Sequence, residues 1–266
     1  MEAAEKGQLT HSAADVYDEF FVPSLFQQWA APVVEAAGIK PGHAVLDVAC
    51  GTGALAREAA ARSGPGGSVV GLDVNDGMLA VARRTKPDIR WENGRAEELP
   101  FADAAFDAVV SQFGLMFFED RVAALKEMWR VLRSGGGLAV AVWDRMDTSP
   151  GYAAMERLLR RLFGDTAAQA LQAPFNLGDS ALLLPLFSEA GIADVKFQTQ
   201  TGTARFPSLS AWVHTDVKGW TLADLIDEAQ YQRLQREAQT ALAAFVQEDG
   251  TVAFDAPAHI VSAVKS

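Results

Sequence analysis

One stretch constrains the fold more than any other: Val45-Leu46-Asp47-Val48-Ala49-Cys50-Gly51-Thr52-Gly53-Ala54-Leu55-Ala56. Val45, Leu46 and Val48 are strand formers with apolar side chains on both faces, as a strand covered on both sides requires. Gly51 and Gly53 let the backbone turn sharply and approach a ligand that a Cβ would block. From Ala54 to Arg62 the residues are mostly strong helix formers. The free N–H groups of that helix would point at whatever sits over the glycines.

Three readings fit this strand, turn and helix. The run Gly51 to Ala56 matches G-x-G-x-x-A, the turn of a nicotinamide or flavin dinucleotide fold. An S-adenosylmethionine site also fits, because Asp47 places an acid at the strand end, four residues before the first glycine. The third is a plain corner without a ligand. Asp73, 20 residues after Gly53 at the end of the next apolar run, argues against the third. A carboxylate there can accept hydrogen bonds from both hydroxyls of a ribose, in either nucleotide fold.

The 266 residues suffice for one large α/β domain with an appendage. A formal net charge of −11 disfavours nucleic acid and anionic membrane, which both require clustered Lys and Arg. No uncharged apolar run approaches the ~18 residues of a spanning helix. The acidic start, Met1 to Lys6, lacks the layout of a secretory signal. Cys50 is the sole cysteine, so no intramolecular disulfide forms; this fits a cytoplasmic protein. Four histidines, at 11, 43, 214 and 259, show no zinc-like spacing, and no metal is expected. Cys50 is expected to be a small residue tucked beside the ligand rather than a reactive thiol.

Along the chain, residues 1–10 read as a frayed tail. A helix is expected from the capping box Ser12 to Asp15, broken by Pro23, with a second over Ser24 to Ala37. Strands follow at Val45–Val48, Ser68–Asp73, Ile89–Glu92, Phe106–Ser111 and Leu138–Trp143. Helices alternate with them near Asn75–Lys86 and Arg121–Arg133. That alternation predicts a parallel sheet with right-handed crossovers. Residues 152–191 read as helical, Val195–Arg205 as a strand, and Thr221 to about Val246 as a helix opened by a capping box. His259–Val264 is the expected last strand. The chain then divides into an N-terminal helical cap (1–40), a cofactor-binding core (41–145), a helical substrate cap (146–256) and a last strand (257–266), all in one domain.

Two further stretches decide between the nucleotide readings. Gly94 to Val109 resembles the G-D-A-x-x-L-P-F…F-D-x-V segment of class I S-adenosylmethionine-dependent methyltransferases, and Leu125 to Gly136 resembles a later segment of the same family. With Val45–Ala56 and Val70–Leu79, the resemblance is to the ubiquinone/menaquinone C-methyltransferase-like group, over roughly residues 40–145. It implies a doubly wound, Rossmann-like, mostly parallel α/β sheet of seven strands, in the order 3-2-1-4-5-7-6 with strand 7 antiparallel. It implies that Asp47, Gly51 and Gly53 face the methionine part of S-adenosyl-L-methionine and that Asp73 holds its ribose. Val74 and Met78 would pack on adenine, and Ala96 and Glu97 would meet its edge. Gln112 and Phe113 would close over the transferred methyl. One position departs from the pattern: Arg95 stands where the family has Asp, and a guanidinium accepts no hydrogen bond.

The implied activity is methyl transfer to a small organic acceptor, on carbon or oxygen. An NAD-dependent oxidoreductase and a non-catalytic cofactor-binding protein are the alternatives. Two residues are candidate catalytic groups: His214 as a base, and Tyr17 as a cap on the cofactor carboxylate or a substrate contact. Phe206, Leu209, Trp212, Trp220 and Leu222, with Phe20, Phe21, Phe26 and Trp29, are candidate walls of an acceptor pocket. The alternative for these is that they hold the helical cap to the sheet. As pocket walls they would suit an acceptor with aromatic or aliphatic bulk.

Overall fold

The computed structural model describes residues 11–218, 222 and 225–266. The tail 1–10, Trp220 and most of the capping box expected at 221–224 lie outside the described residues. The described strands form one seven-stranded sheet: β1 (Ala44–Val48), β2 (Ser68–Asp73), β3 (Arg90–Asn93), β4 (Phe106–Gln112), β5 (Leu132–Trp143), β6 (Lys196–Phe206) and β7 (Val252–Val264). Their order is β3-β2-β1-β4-β5-β7-β6. The first five pair in parallel, and β7 runs antiparallel between β5 and β6. The chain order reverses between β1 and β4, and at such a switch point a crevice opens beyond the carboxyl ends of the strands.

Three sequence expectations change here. Residues 11–36 form one continuous helical path: α1 (His11–Val16), a π-helical stretch Tyr17–Phe26, then α2 (Gln27–Ala36). Helical backbone is already established at His11, so Ser12 does not start it. Pro23 sits inside the π stretch rather than breaking the chain, and the wider turn accommodates a residue that a tight α turn disfavours. The last strand starts at Val252, well before His259. Pro257 belongs to it because its carbonyl accepts from Asp144 N–H at 3.1 Å, on the β5 side. The N–H that proline lacks would fall on that same side, just past Trp143, where β5 pairing ends. Finally, the helix expected from Thr221 is α10 (Glu228–Ala241), opened by a capping box of Asp227 and Gln230.

Helices α3 (Ala54–Ser63), α4 (Asp76–Thr85) and α5 (Arg121–Val131) connect the parallel strands. Helices α6 (Pro150–Phe163), α7 (Asp165–Gln172), α8 (Ser180–Glu189), α9 (Leu209–Lys218) and α10 build the cap. The family-like segments turn out to be braces. Glu127 accepts Leu99 N–H at 2.8 Å, and Arg130 donates to the carbonyls of Phe101 and Leu99 at 2.8 and 3.0 Å. Asp107 accepts Ala44 N–H at 2.8 Å and Arg133 at 2.7 Å, which ties β4 to the start of β1. These bonds fix the loops around the crevice without touching it.

Candidate active site

Two adjoining cavities open at the switch point. The larger, about 150 Å³, runs along the ends of β2, β3 and β4, from Tyr17 and Phe26 past Asp73, Val74 and Met78 to Arg95 and Glu97. The smaller, about 30 Å³, lies beneath Tyr17 and Phe26, against Asp47, Thr52 and Gln112. Tyr17, Phe26, Ala49, Gly51 and Gln112 line both. Ala49 and Phe113 hold left-handed backbone, with φ of 59° and 58°. They sit just past the ends of β1 and β4, and such strain in non-glycine residues collects at functional sites.

Asp73 is buried at the tip of β2 and is already anchored. One oxygen accepts Gly51 N–H and the other Asn75 N–H, each at 2.8 Å. Burial raises its carboxyl above the usual range, and the backbone N–H groups of Asn75 and Gly51, with that of neighbouring Val74, pull it back. Each oxygen keeps a second lone pair for a ligand. Asp47 differs. Both its oxygens are buried without a hydrogen-bond partner, as are Thr52 Oγ1 and Gln112 Oε1 beside it. Burial pushes its carboxyl well above the usual range and the Asp73 charge pushes it further, while the nearby Ala56 N–H dipole, outside hydrogen-bond geometry, and the Arg57 charge offset part of this. Unsatisfied buried acceptors are costly, so the small cavity is built to receive donors.

Gly51 and Gly53 have separate jobs. At Gly51 (φ +55°) a Cβ would meet only Tyr17, at 4.0 Å, so this glycine faces the cavity. At Gly53 (φ +89°) a Cβ would sit 2.3 Å from the Trp91 ring. Gly53 lines neither cavity; together with Gly71 it makes a slot for that indole. Cys50 lines the small cavity, and burial followed by the charges of Asp73 and Asp47 pushes its thiol well up, away from reactivity.

Of the other sequence candidates, Val74, Met78, Ala96, Glu97, Gln112 and Phe113 all line the larger cavity. Gln112 donates from Nε2 to Phe26 carbonyl at 3.1 Å, which aims Oε1 the other way. Glu97 accepts Glu119 N–H at 3.0 Å, so it also anchors the loop before α5. Phe113 stacks on Trp143 with ring centroids 3.7 Å apart. Tyr17 lies over Gly51, its hydroxyl pushed far up by burial and then by Asp73, Asp18 and Asp47.

His214 is not brought to the site. It lines neither cavity; its Nδ1 lies 3.3 Å from the Tyr231 hydroxyl, and its ring packs edge-on to Phe20. Of the proposed acceptor walls among the described residues, only Phe26 reaches a cavity. Phe21, Trp29, Phe206, Leu209, Trp212 and Leu222 are buried core that seats the cap on the sheet. The aromatic lining comes instead from Tyr17, Phe26, Phe113, Phe117 and Phe118. Nothing in the sequence singles out Phe117 and Phe118, which follow a strand end without a periodic pattern. Residues 45–136 match a family model described as a methyltransferase domain. A demethylmenaquinone methyltransferase of Beutenbergia cavernae is 35% identical over 189 residues, 65% of this chain and 75% of that protein.

The chain belongs to the class I S-adenosylmethionine-dependent methyltransferases, in the ubiquinone/menaquinone group. Its cofactor is S-adenosylmethionine and its activity is methyl transfer to a small organic acceptor. The methyltransferase is also 40% identical over 152 residues to the ubiquinone/menaquinone biosynthesis C-methyltransferase UbiE of Ectopseudomonas mendocina, 53% of this chain and 59% of that one. In fold, it is similar to a phosphoethanolamine N-methyltransferase of Haemonchus contortus solved with S-adenosyl-L-methionine: TM-score 0.64, 17% identity, 99% of this chain and 59% of that chain. YcgJ of Bacillus subtilis gives TM-score 0.58 at 18% identity, over 90% and 98%. Family membership decides the glycine turn for S-adenosylmethionine over a dinucleotide. Among the described residues, no helix of this methyltransferase is long and apolar enough to cross a membrane.

Proposed function

We propose that the acceptor is a hydroxylated aromatic ring of the quinol type, methylated on carbon in the cytoplasm. The observation that carries this reading is the larger cavity, whose Phe26, Phe113, Phe117, Phe118 and Tyr17 rings stand beside the acceptor-rich small cavity. The names of the relatives, a demethylmenaquinone methyltransferase and a ubiquinone/menaquinone C-methyltransferase, support the same acceptor class.

The residues present fit the cofactor. The unpartnered oxygens of Asp47, Thr52 and Gln112 suit an ammonium group, Asp73 a diol, and Val74, Met78 and Ala96 the faces of a base. Val74, an apolar side chain left 44% exposed at the rim, gains cover in this arrangement. When bound, S-adenosylmethionine supplies a methyl group on a sulfonium, which needs no acid to leave. The chain's part is alignment and exclusion of water. Tyr17 keeps its proton at neutral pH, so it serves as a donor and not as a base. The acceptor's ring hydroxyl donates electron density into the ring and so enriches the carbon beside it; that carbon would form the new carbon–carbon bond as the carbon–sulfur bond breaks, and the hydrogen it carried would leave as a proton to solvent, restoring the aromatic ring. Residues 41–145 hold the cofactor in this reading, 1–40 and 146–256 cap it, and 257–266 complete the sheet.

The test is a radiolabelled methyl-transfer assay with hydroxylated one- and two-ring aromatics carrying an apolar tail, scored by mass spectrometry of the product. Methylation at a ring carbon is expected. Transfer only to amines or only to hydroxyl oxygens would overturn the acceptor assignment.

A further inference from the structure

The end of the larger cavity remote from Asp47 is formed by the loop after β3 and the loop before α5. Its charged groups are Arg95, Glu97 and Glu119. Arg95 Nη2 lies 2.6 Å from Glu119 Oε2 and 3.4 Å from Glu97 Oε2. Glu97 Oε1 is taken by the backbone N–H of Glu119, so its other oxygen carries what acceptor capacity remains toward the cavity. With the ribose at Asp73 and the amino acid end at Asp47, the purine extends toward this cluster.

A purine edge offers one of two patterns. A 6-amino base presents N–H donors at position 6 and a ring acceptor at N1. A 6-oxo base presents an acceptor at position 6 and an N–H donor at N1. A site with an acceptor fixed at position 6 accepts the first and rejects the second, because the oxo oxygen then faces another oxygen with no proton between them. A guanidinium beside a carboxylate supplies donors and an acceptor side by side. Such a pair meets either pattern with the two partners exchanged.

We infer that Arg95, paired with Glu97 and Glu119 at the base end of the cavity, relaxes recognition of the purine 6-substituent, so that the site takes nucleosides of both the 6-amino and the 6-oxo class. The inference rests on the cofactor reading above and adds a specificity-determining residue to it. Arg95 is half exposed, so the effect is moderated by water.

The experiment is calorimetric titration of the full chain with S-adenosylhomocysteine and with S-inosylhomocysteine, its 6-oxo counterpart. Wild type is expected to bind the two within about tenfold of each other, where a one-pattern site discriminates far more strongly. Arg95→Met leaves only the carboxylates of Glu97 and Glu119 to face position 6 and is expected to raise the preference for the amino base by about fivefold or more. Arg95→Lys retains a donor and should return the ratio toward wild type. A wild-type preference above about 100-fold, or an unchanged ratio in Arg95→Met, would overturn the inference while leaving the cofactor site standing. Failure of wild type to bind either nucleoside would overturn both.

Discussion

Two buried acids in this molecule share a signature and differ in use. Asp47 lies at the end of β1 and Asp216 on α9 in the cap; both are almost wholly buried, and burial pushes both carboxyls well above the usual range. Asp47 opens onto a cavity whose other polar atoms are also unpartnered. Asp216 is enclosed by Tyr152 and Trp212, which pull its carboxyl back down, within a cluster of Phe175, Phe206, Phe245 and Phe254 rings. A buried, raised carboxyl therefore marks a ligand site only where space adjoins it; elsewhere it is part of the packing. The same contrast separates Phe26, whose ring reaches both cavities, from Trp212, whose ring reaches only core.

The largest effect is expected at Asp73. Its carboxylate holds two backbone N–H groups and, in this account, the ribose, so Asp73→Ala should weaken S-adenosylhomocysteine binding by about 100-fold or more, read by calorimetry. Retained affinity would remove the β2 tip from the site.

The second effect is a pH dependence at Asp47. A cationic ammonium favours the ionised carboxylate, whereas burial in the free protein shifts the carboxyl toward its protonated form. Affinity for S-adenosylhomocysteine should therefore fall roughly tenfold as pH drops from 8 toward 4. In Asp47→Asn the profile should be weak and flat. A wild-type affinity that rises on acidification contradicts the assignment.

Much of this contrast was legible in the sequence, and the reason is local. The glycine turn, Asp47 and Asp73 are tied to strand ends by backbone geometry, so spacing alone places them. The strand order followed from family resemblance and holds in the structure. The acceptor side was harder to read because burial depends on partners far away in the chain. Trp212 and Phe206 look like pocket walls in sequence but stack on each other inside the cap, 5.9 Å between ring centroids. Pro23 reads as a break because the widening of a helix to π turns leaves no mark in composition. Gly53 reads as a ligand contact because nothing local announces that Trp91, in β3, lies against it.

The cap provides the third test. For Asp216 the folded state holds its proton to higher pH than the unfolded chain, so folded protein binds more protons once pH passes the ordinary Asp range. Its contribution is present below about pH 4 and is lost as pH rises through the raised folded value. Asp216→Asn should remove that slope from denaturant-melt stabilities measured across pH, and should change the dissociation constant of S-adenosylhomocysteine by less than about twofold, since the site lies elsewhere. A large loss of cofactor affinity would show the two regions to be coupled.

The smallest effect belongs to His214. Held by Tyr231 and outside both cavities, it should tolerate His214→Ala with turnover within about twofold of wild type and a stability loss of about 1 kcal/mol from the lost hydrogen bond. A hundredfold fall in turnover with unchanged stability would restore it as a base.

A crystal structure of the complex with S-adenosylhomocysteine locates each part of the cofactor against these groups. The amino group is expected among Asp47, Thr52 and Gln112, the ribose hydroxyls on Asp73, and the base between Val74, Met78 and Ala96. Density for the ligand in the open depression beside Met146, Phe175 and Leu182, with the Asp47 cavity unchanged, would contradict this placement.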